Sequence, residues 1–177
     1  SYRNTVEIAN FASDILAHGE FPGYGAEPVI RHGEAVGIRQ TAGRDLYREA
    51  AKICKGWQAE GFDTIAVICR DQKQAQETAE LLQKELPVMP WDPEKASFEK
   101  GIMVFPVEYT KGLEFDAVLL LSPDRESYPI DDGHAKLLYV AATRALHRLE
   151  VLHTGNLTGL IADPIPKKNK KRVSGAK

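Results

Sequence analysis

The sequence predicts an α/β domain built on a mainly parallel sheet. Apolar runs of strand length alternate along the chain with amphipathic stretches of helix length. Runs such as Ala117–Leu121 are apolar at every position, as expected of a strand covered on both faces rather than one. With 177 residues, 43% of them hydrophobic, the chain has enough material for one domain with a sizeable core.

Each element can be justified in order. Residues 4–19, NTVEIANFASDILAHG, read as a helix with Asn4 as N-cap and Glu7 at the reciprocal capping-box position. Ile8, Phe11, Ala12 and Ile15 make its apolar face, and Gly19 ends it. FPGYGAEP is a loop; its Gly23-x-Gly25 follows a helix and lacks a third glycine, which argues against a dinucleotide-binding turn. PVIRHGEAVGIRQ offers two short strands joined near Gly33. Residues 44–60 place Leu46, Ala50, Ile53 and Trp57 on one helical face, ending at Gly61. TIAVICR (64–70) is a buried strand, followed by a helix over 71–86 with Asp71 as cap and Ala75, Ala79 and Leu82 inward.

PVMPWDPEKASFEKG is a proline-punctuated connector, then IMVFPV (102–107) and DAVLLL (116–121) are strands. SPDRESYPIDDGH is a loop and AKLLYVAATRAL (135–146) a helix. HRLEVLHTG closes with an alternating strand in which Leu149, Val151 and His153 share a face. In such folds ligands are expected outside the carboxyl ends of the strands.

Charge is uneven. Residues 163–177 hold six of the 23 Lys and Arg residues and one of the 25 acids, leaving the body at a net charge of −7. An acidic body argues against wrapping nucleic acid, so any such contact is expected to be local. The tail from 161 to 177 is basic and apolar-poor, and is expected to be disordered. Cys54 and Cys69 form no CxxC, no signal peptide is visible, and no apolar run could span a bilayer; a reducing cytoplasm and no membrane are expected. The five histidines show no metal-ligand spacing. The chain begins at Ser1 rather than Met and reads as a piece of something longer.

Three stretches are suited to one anionic ligand. Tyr2-Arg3 precedes a helix: an aromatic face can stack a base while a guanidinium grips phosphate, or the Tyr can simply pack on the domain beside a solvated Arg. In Lys111-Gly112-Leu113-Glu114, the glycine permits close backbone approach to phosphate and the carboxylate can accept from ribose hydroxyls; a plain turn is the alternative. Thr143-Arg144 lies late in a helix, where Arg144 either complements the helix dipole or neutralises charge on a transferring γ-phosphoryl group, an effect worth roughly 10³–10⁵ in rate. No G-x-x-x-x-G-K-[ST] phosphate cradle occurs anywhere.

Together these stretches resemble the carboxyl-terminal motor domain of UvrD-like superfamily 1 helicases. SYRNTVEIANFA is similar to the N-Y-R-S-x-x-x-I motif, with Ser1 for Asn and Asn4 for Ser. TIAVICRDQKQAQETAELL, KGLEFDAVLL and LLYVAATRALHRL resemble further motifs in the family's order. The resemblance implies a RecA-like three-layer sandwich over 1–160, without the large accessory domain, followed by the tail.

It further implies that Tyr2 stacks the adenine of ATP and Arg3 reaches the γ-phosphate. Gly112 would approach the phosphates, Glu114 would hold the ribose, and Arg144 would be the catalytic finger together with Arg3. Arg70, Glu108 and Lys111 would face nucleic acid. The P-loop domain of the same parent protein would carry the rest of the ATP site and most of the Mg²⁺ contacts.

Two departures stand out. Pro106 and Glu108 replace the Thr and His of the motif T-x-H-x-x-K-G-L-E, which touches both nucleic-acid grip and coupling. About 20 residues or fewer separate Leu86 from Ile102, where close relatives of UvrD carry a large insertion. Both resemble the helicase IV-like branch of Gram-positive bacteria, whose members bind RNA polymerase. The strand that normally precedes the first motif is also missing, which implies an altered sheet edge. DNA is the expected track. Two other readings are an RNA-polymerase-binding module and a diverged RecA-like domain without nucleotide contact. The isolated chain is expected to release no phosphate from ATP in a coupled assay; robust hydrolysis would reveal a phosphate cradle overlooked in the sequence.

Overall fold

The computed structural model describes residues 4–19, 31–90 and 100–161. Tyr2, Arg3 and nearly all of the basic tail lie outside the described residues. The elements follow in the order α1 (Val6–His18), β1 (Gly37–Gln40), α2 (Leu46–Ala59), β2 (Thr64–Cys69), α3 (Gln72–Leu82), β3 (Met89–Pro90), β4 (Gly101–Pro106), β5 (Phe115–Leu121), α4 (Asp132–Thr143) and β6 (Ala145–His153). The strands form one sheet in the order β1-β6-β5-β2-β4-β3, every pairing parallel. The α/β fold and its parallel sheet are as the alternation of elements predicts.

Pleating sends successive residues to opposite faces and so builds two cores from one sheet. Ala66, Ile68, Met103, Phe105, Val118 and Leu120 face α1 and α4. Their neighbours Ile65, Val67, Ile102, Val104, Ala117 and Leu119 face α2 and α3. The result is a three-layer sandwich in which β5 and β2 are closed off from solvent on both sides. No helix among the described residues is long and apolar enough to cross a membrane.

Several boundaries differ from the sequence reading. The cap of α1 is Thr5, whose hydroxyl accepts from the Ile8 amide at 3.2 Å, not Asn4. That shift of one residue takes Glu7 out of the reciprocal position. Its carboxylate instead accepts from the Gly33 amide at 2.7 Å and meets the His32 ring at 2.9 Å. These two partners pull the Glu7 carboxyl down to about 2, the His32 contact contributing most. Of the two short strands expected over 28–40, the second is β1, while most of the first lies outside the described residues; Arg31 to Val36 run without sheet pairing, and the Arg31 carbonyl accepts from the Val6 amide at 2.9 Å.

The last helix starts three residues early, because Asp131 caps it by accepting from the His134 amide at 2.8 Å. It also ends three residues early, since Ala145 pairs with Phe115 as the start of β6. Local periodicity favours continuing the helix through Leu146; the sheet ladder overrides it. The connector after α3 contributes the two-residue β3 at one edge. The other edge of the described sheet is β1, short and three-quarters exposed by residue. α2 forms where expected, and Asp71 caps α3 through the Gln74 amide at 2.9 Å, but α3 ends at Leu82, four residues before the expected end.

Cys54 and Cys69 are buried free thiols on the α2–α3 side, and burial pushes both up to about 12. A thiolate is the reactive form, so both are shielded by access and by ionisation. A thiol-labelling reagent should modify neither cysteine at neutral pH in the native chain and both in denaturant; rapid native labelling would contradict this core.

Candidate functional site

The sequence-predicted site residues fall at two opposite ends of the sheet. Lys111–Glu114 immediately precede β5, and Arg144 immediately precedes β6, so this group lies at the amino ends of neighbouring strands. Arg70 follows β2 and Glu108 follows β4, at the carboxyl ends. The expectation of a single ligand edge at the carboxyl ends is therefore corrected: Gly112, Glu114 and Arg144 sit at the other end. Chain order explains it, because a residue that leads into a parallel strand must lie at that strand's start.

Arg144 is the C-cap of α4 and is half-buried. Its Nε donates to the Val140 carbonyl at 3.0 Å, one turn back in the helix. Its Nη1 donates to the Leu113 carbonyl at 3.1 Å and, more distantly, to that of Thr110 at 3.5 Å. The side chain thus shares with the Thr143 hydroxyl a carbonyl of the last helical turn and also crosses to the turn before β5. Backbone pairing reinforces the junction, with the Phe115 amide donating to the Arg144 carbonyl at 2.8 Å. Burial lowers the pKa of the guanidinium, and the Glu114 carboxylate pushes back. Because Nη1 is bonded to the carbonyl of Leu113, next in chain to Glu114, Arg144 and Glu114 share one corner.

The turn holding Glu114 is built locally. Leu113 donates to the Thr110 carbonyl at 3.0 Å, and Gly112 takes a φ of +79° in the third position of that turn. Thr110 is fully buried, its hydroxyl donating to the Val107 carbonyl at 2.7 Å. A Cβ on Gly112 would meet nothing within 4 Å, so the glycine answers a backbone requirement and not crowding. Lys111 is exposed in the same turn.

Asn4 was missed as a site residue. It is buried, and its side-chain nitrogen donates to the carbonyls of Thr143 at 3.1 Å and Ala145 at 2.7 Å, bracketing Arg144. The available signal was its replacement of the Ser found in the motif it resembles. Also at this end is an open cleft of about 450 Å³, lined among others by Arg31, Phe62, Asp116 and His147. Its charges are largely committed within the domain: Arg31 meets the His147 ring at 2.9 Å, and Asp116 accepts from the Asp63 amide at 2.8 Å.

At the carboxyl ends, Arg70 is held by the Ser127 carbonyl at 3.0 Å and lies 5.7 Å from the Tyr128 ring centre. Glu108 is exposed in a short 3-10 turn, Val107–Tyr109. Tyr109 is 41% exposed, and its hydroxyl accepts from the Gln72 side-chain amide at 3.2 Å.

Comparison with known proteins bears on the fold that carries this site. Residues 101–152, which run from β4 almost to the end of β6, match the UvrD-like helicase C-terminal domain family. The chain is also similar to a solved structure described as the C-terminal domain of a possible DNA helicase from Lactobacillus plantarum WCFS1. The identity is 25%, with 92% of each chain covered and a TM-score of 0.75. No curated protein matches the chain significantly. Similarity to UvrD-like helicase C-terminal domains thus rests on the segment 101–152 and on the likeness of the whole fold.

Replacing Gly112 by Ala should cost about 1–2 kcal/mol through the left-handed backbone alone, read as a lower urea midpoint with an unchanged slope. An unaltered midpoint would show that the turn does not need its positive φ.

Proposed function

We propose that this UvrD-like helicase-type domain is the second motor domain of an ATP-dependent superfamily 1 DNA helicase or translocase, closing over ATP seated on the P-loop domain of the same parent protein. The observation that carries the reading is the corner shared by Arg144 and Glu114 at the amino ends of β5 and β6. A fixed guanidinium with a carboxylate beside it suits the edge of a nucleoside triphosphate: the cation meets phosphoryl oxygens and the carboxylate meets ribose hydroxyls. Among the described residues, Nε and Nη1 of Arg144 are spent on carbonyls, while Nη2 has only a long 3.4 Å contact to the Thr143 hydroxyl. Donor capacity is left there for developing charge.

ATP supplies the free energy when bound, with Mg²⁺ held mainly by the P-loop domain. From this chain, Arg144 serves as the finger and Glu114 orients the ribose, while Gly112 allows its turn to approach the phosphates. Tyr2 stacks the base and Arg3 adds a second cation. Asn4, next in sequence to that pair, is anchored on both sides of Arg144. Nucleic acid is assigned to Arg70 and Glu108 at the carboxyl ends of the strands; Lys111 stands apart from them, in the Gly112 turn at the amino ends. An acidic Glu108 in place of His weakens the grip on phosphates, which favours displacement or translocation supported by other domains.

A second reading, docking on RNA polymerase as in the helicase IV-like branch, is favoured by the short connection between α3 and β4. The two are compatible, and both suit a cytoplasmic protein. In the longer protein with its P-loop domain, Arg144→Ala should lower ATP turnover by about 10³-fold or more while far-UV circular dichroism stays native. Near-normal turnover would reject the finger, and RNA polymerase capture that survives the substitution would separate the two roles.

A further inference from the structure

We propose that Asn4 is a positioning residue for Arg144, its side-chain amide clipping the backbone on both sides of that residue and so fixing where the guanidinium can reach. The inference rests on the phosphoryl-facing role given to Arg144 above. Asn4 is 3% exposed and makes its two bonds across 139 and 141 positions of sequence. A side-chain amide carries two N–H donors and a hydroxyl only one. Asn therefore reaches both carbonyls at once, which the Ser of the resembled motif cannot do.

Both acceptors need an outside partner. The Thr143 carbonyl belongs to the last turn of α4, where no further helical amide follows. Ala145 opens β6, and β1 meets β6 only from Glu150 onward, so no described strand flanks Ala145 on that side. Between them, the Arg144 carbonyl accepts from Phe115 at 2.8 Å and its amide donates to the Ala141 carbonyl at 3.3 Å. Three consecutive residues are thus held, and the remaining freedom of the guanidinium is in its own side chain. Displacement of a catalytic group by about 1 Å can cost on the order of 100-fold in rate.

The test grades the number of donors. In the longer protein with its P-loop domain, Asn4→Ser keeps one donor and Asn4→Ala none. Turnover at saturating ATP should fall from Asn to Ser to Ala, about tenfold or more at Ala, with KM for ATP changed by no more than about twofold. In the 177-residue chain, the Arg144 Nε–H resonance, identified by its loss in Arg144→Lys, should shift in Asn4→Ala. Unchanged turnover and an unmoved resonance in Asn4→Ala, with Arg144→Lys inactive, overturn the positioning role and leave the finger intact. Should Arg144→Lys keep full turnover, the finger fails, and the resonance alone then decides whether Asn4 positions Arg144. If Asn4→Ala does not fold, solvent exchange of the Asn4 side-chain amide protons in the unaltered chain decides. Slow exchange of both is expected, and exchange at the rate of a free amide overturns the clip.

Discussion

Burial of the parallel sheet on both faces is the constraint from which the rest follows. Ala117, Val118 and Leu119 are wholly inaccessible on successive faces of β5, and β2 beside it is nearly as dry. A polar side chain inside such a layer would need a partner that neither helical cover supplies. Polar chemistry is therefore pushed to the strand ends. Two ends are available, and the chain uses both: Arg144, Glu114 and the Gly112 turn at one, Arg70 and Glu108 at the other.

At the first end, electrostatics is arranged around a partly desolvated cation. Arg144 does not simply sit in solvent beside a helix terminus. It is enclosed by the carbonyls of Val140 and Leu113 and faces Glu114. Such an enclosure offsets the loss of hydration without requiring full neutralisation by a single carboxylate. The helix-dipole interpretation and the finger interpretation are not rivals here, because the Nε bond to the last turn is what holds the guanidinium edge in place.

Much of this was legible in the sequence, for identifiable reasons. The apolar runs of β2, β4 and β5 announce two-sided burial, and Asp71 and Gly61 mark helix ends by local chemistry. The misreadings share a cause, which is that long-range partners outvoted local pattern. Asn4 fits a cap by residue type, yet its amide is spent on carbonyls beyond position 140, and Thr5 takes the local task. Glu7 fits a capping box, yet it serves Gly33 and His32. Residues Ala145 and Leu146 fit a helix, yet Phe115 recruits Ala145 into the sheet. The expectation of one ligand edge at the carboxyl ends failed because it followed the general habit of such sheets; Glu114 and Arg144 lead directly into β5 and β6, and that order places them at the amino ends.

The link from β4 to β5 has a mechanical consequence. Parallel strands are normally joined by a dozen or more residues with a helix between them, but here residues 107–114 return the chain from the finish of one strand to the start of another. A six-residue strand is about 20 Å long, and eight residues reach at most about 29 Å even when fully extended. Part of that reach is consumed by the 3-10 turn at Val107–Tyr109 and the tight turn at Thr110–Leu113. The tether has almost no slack. A displacement imposed near Glu108 would meet little spare chain before the turn whose Leu113 carbonyl is bonded to Arg144.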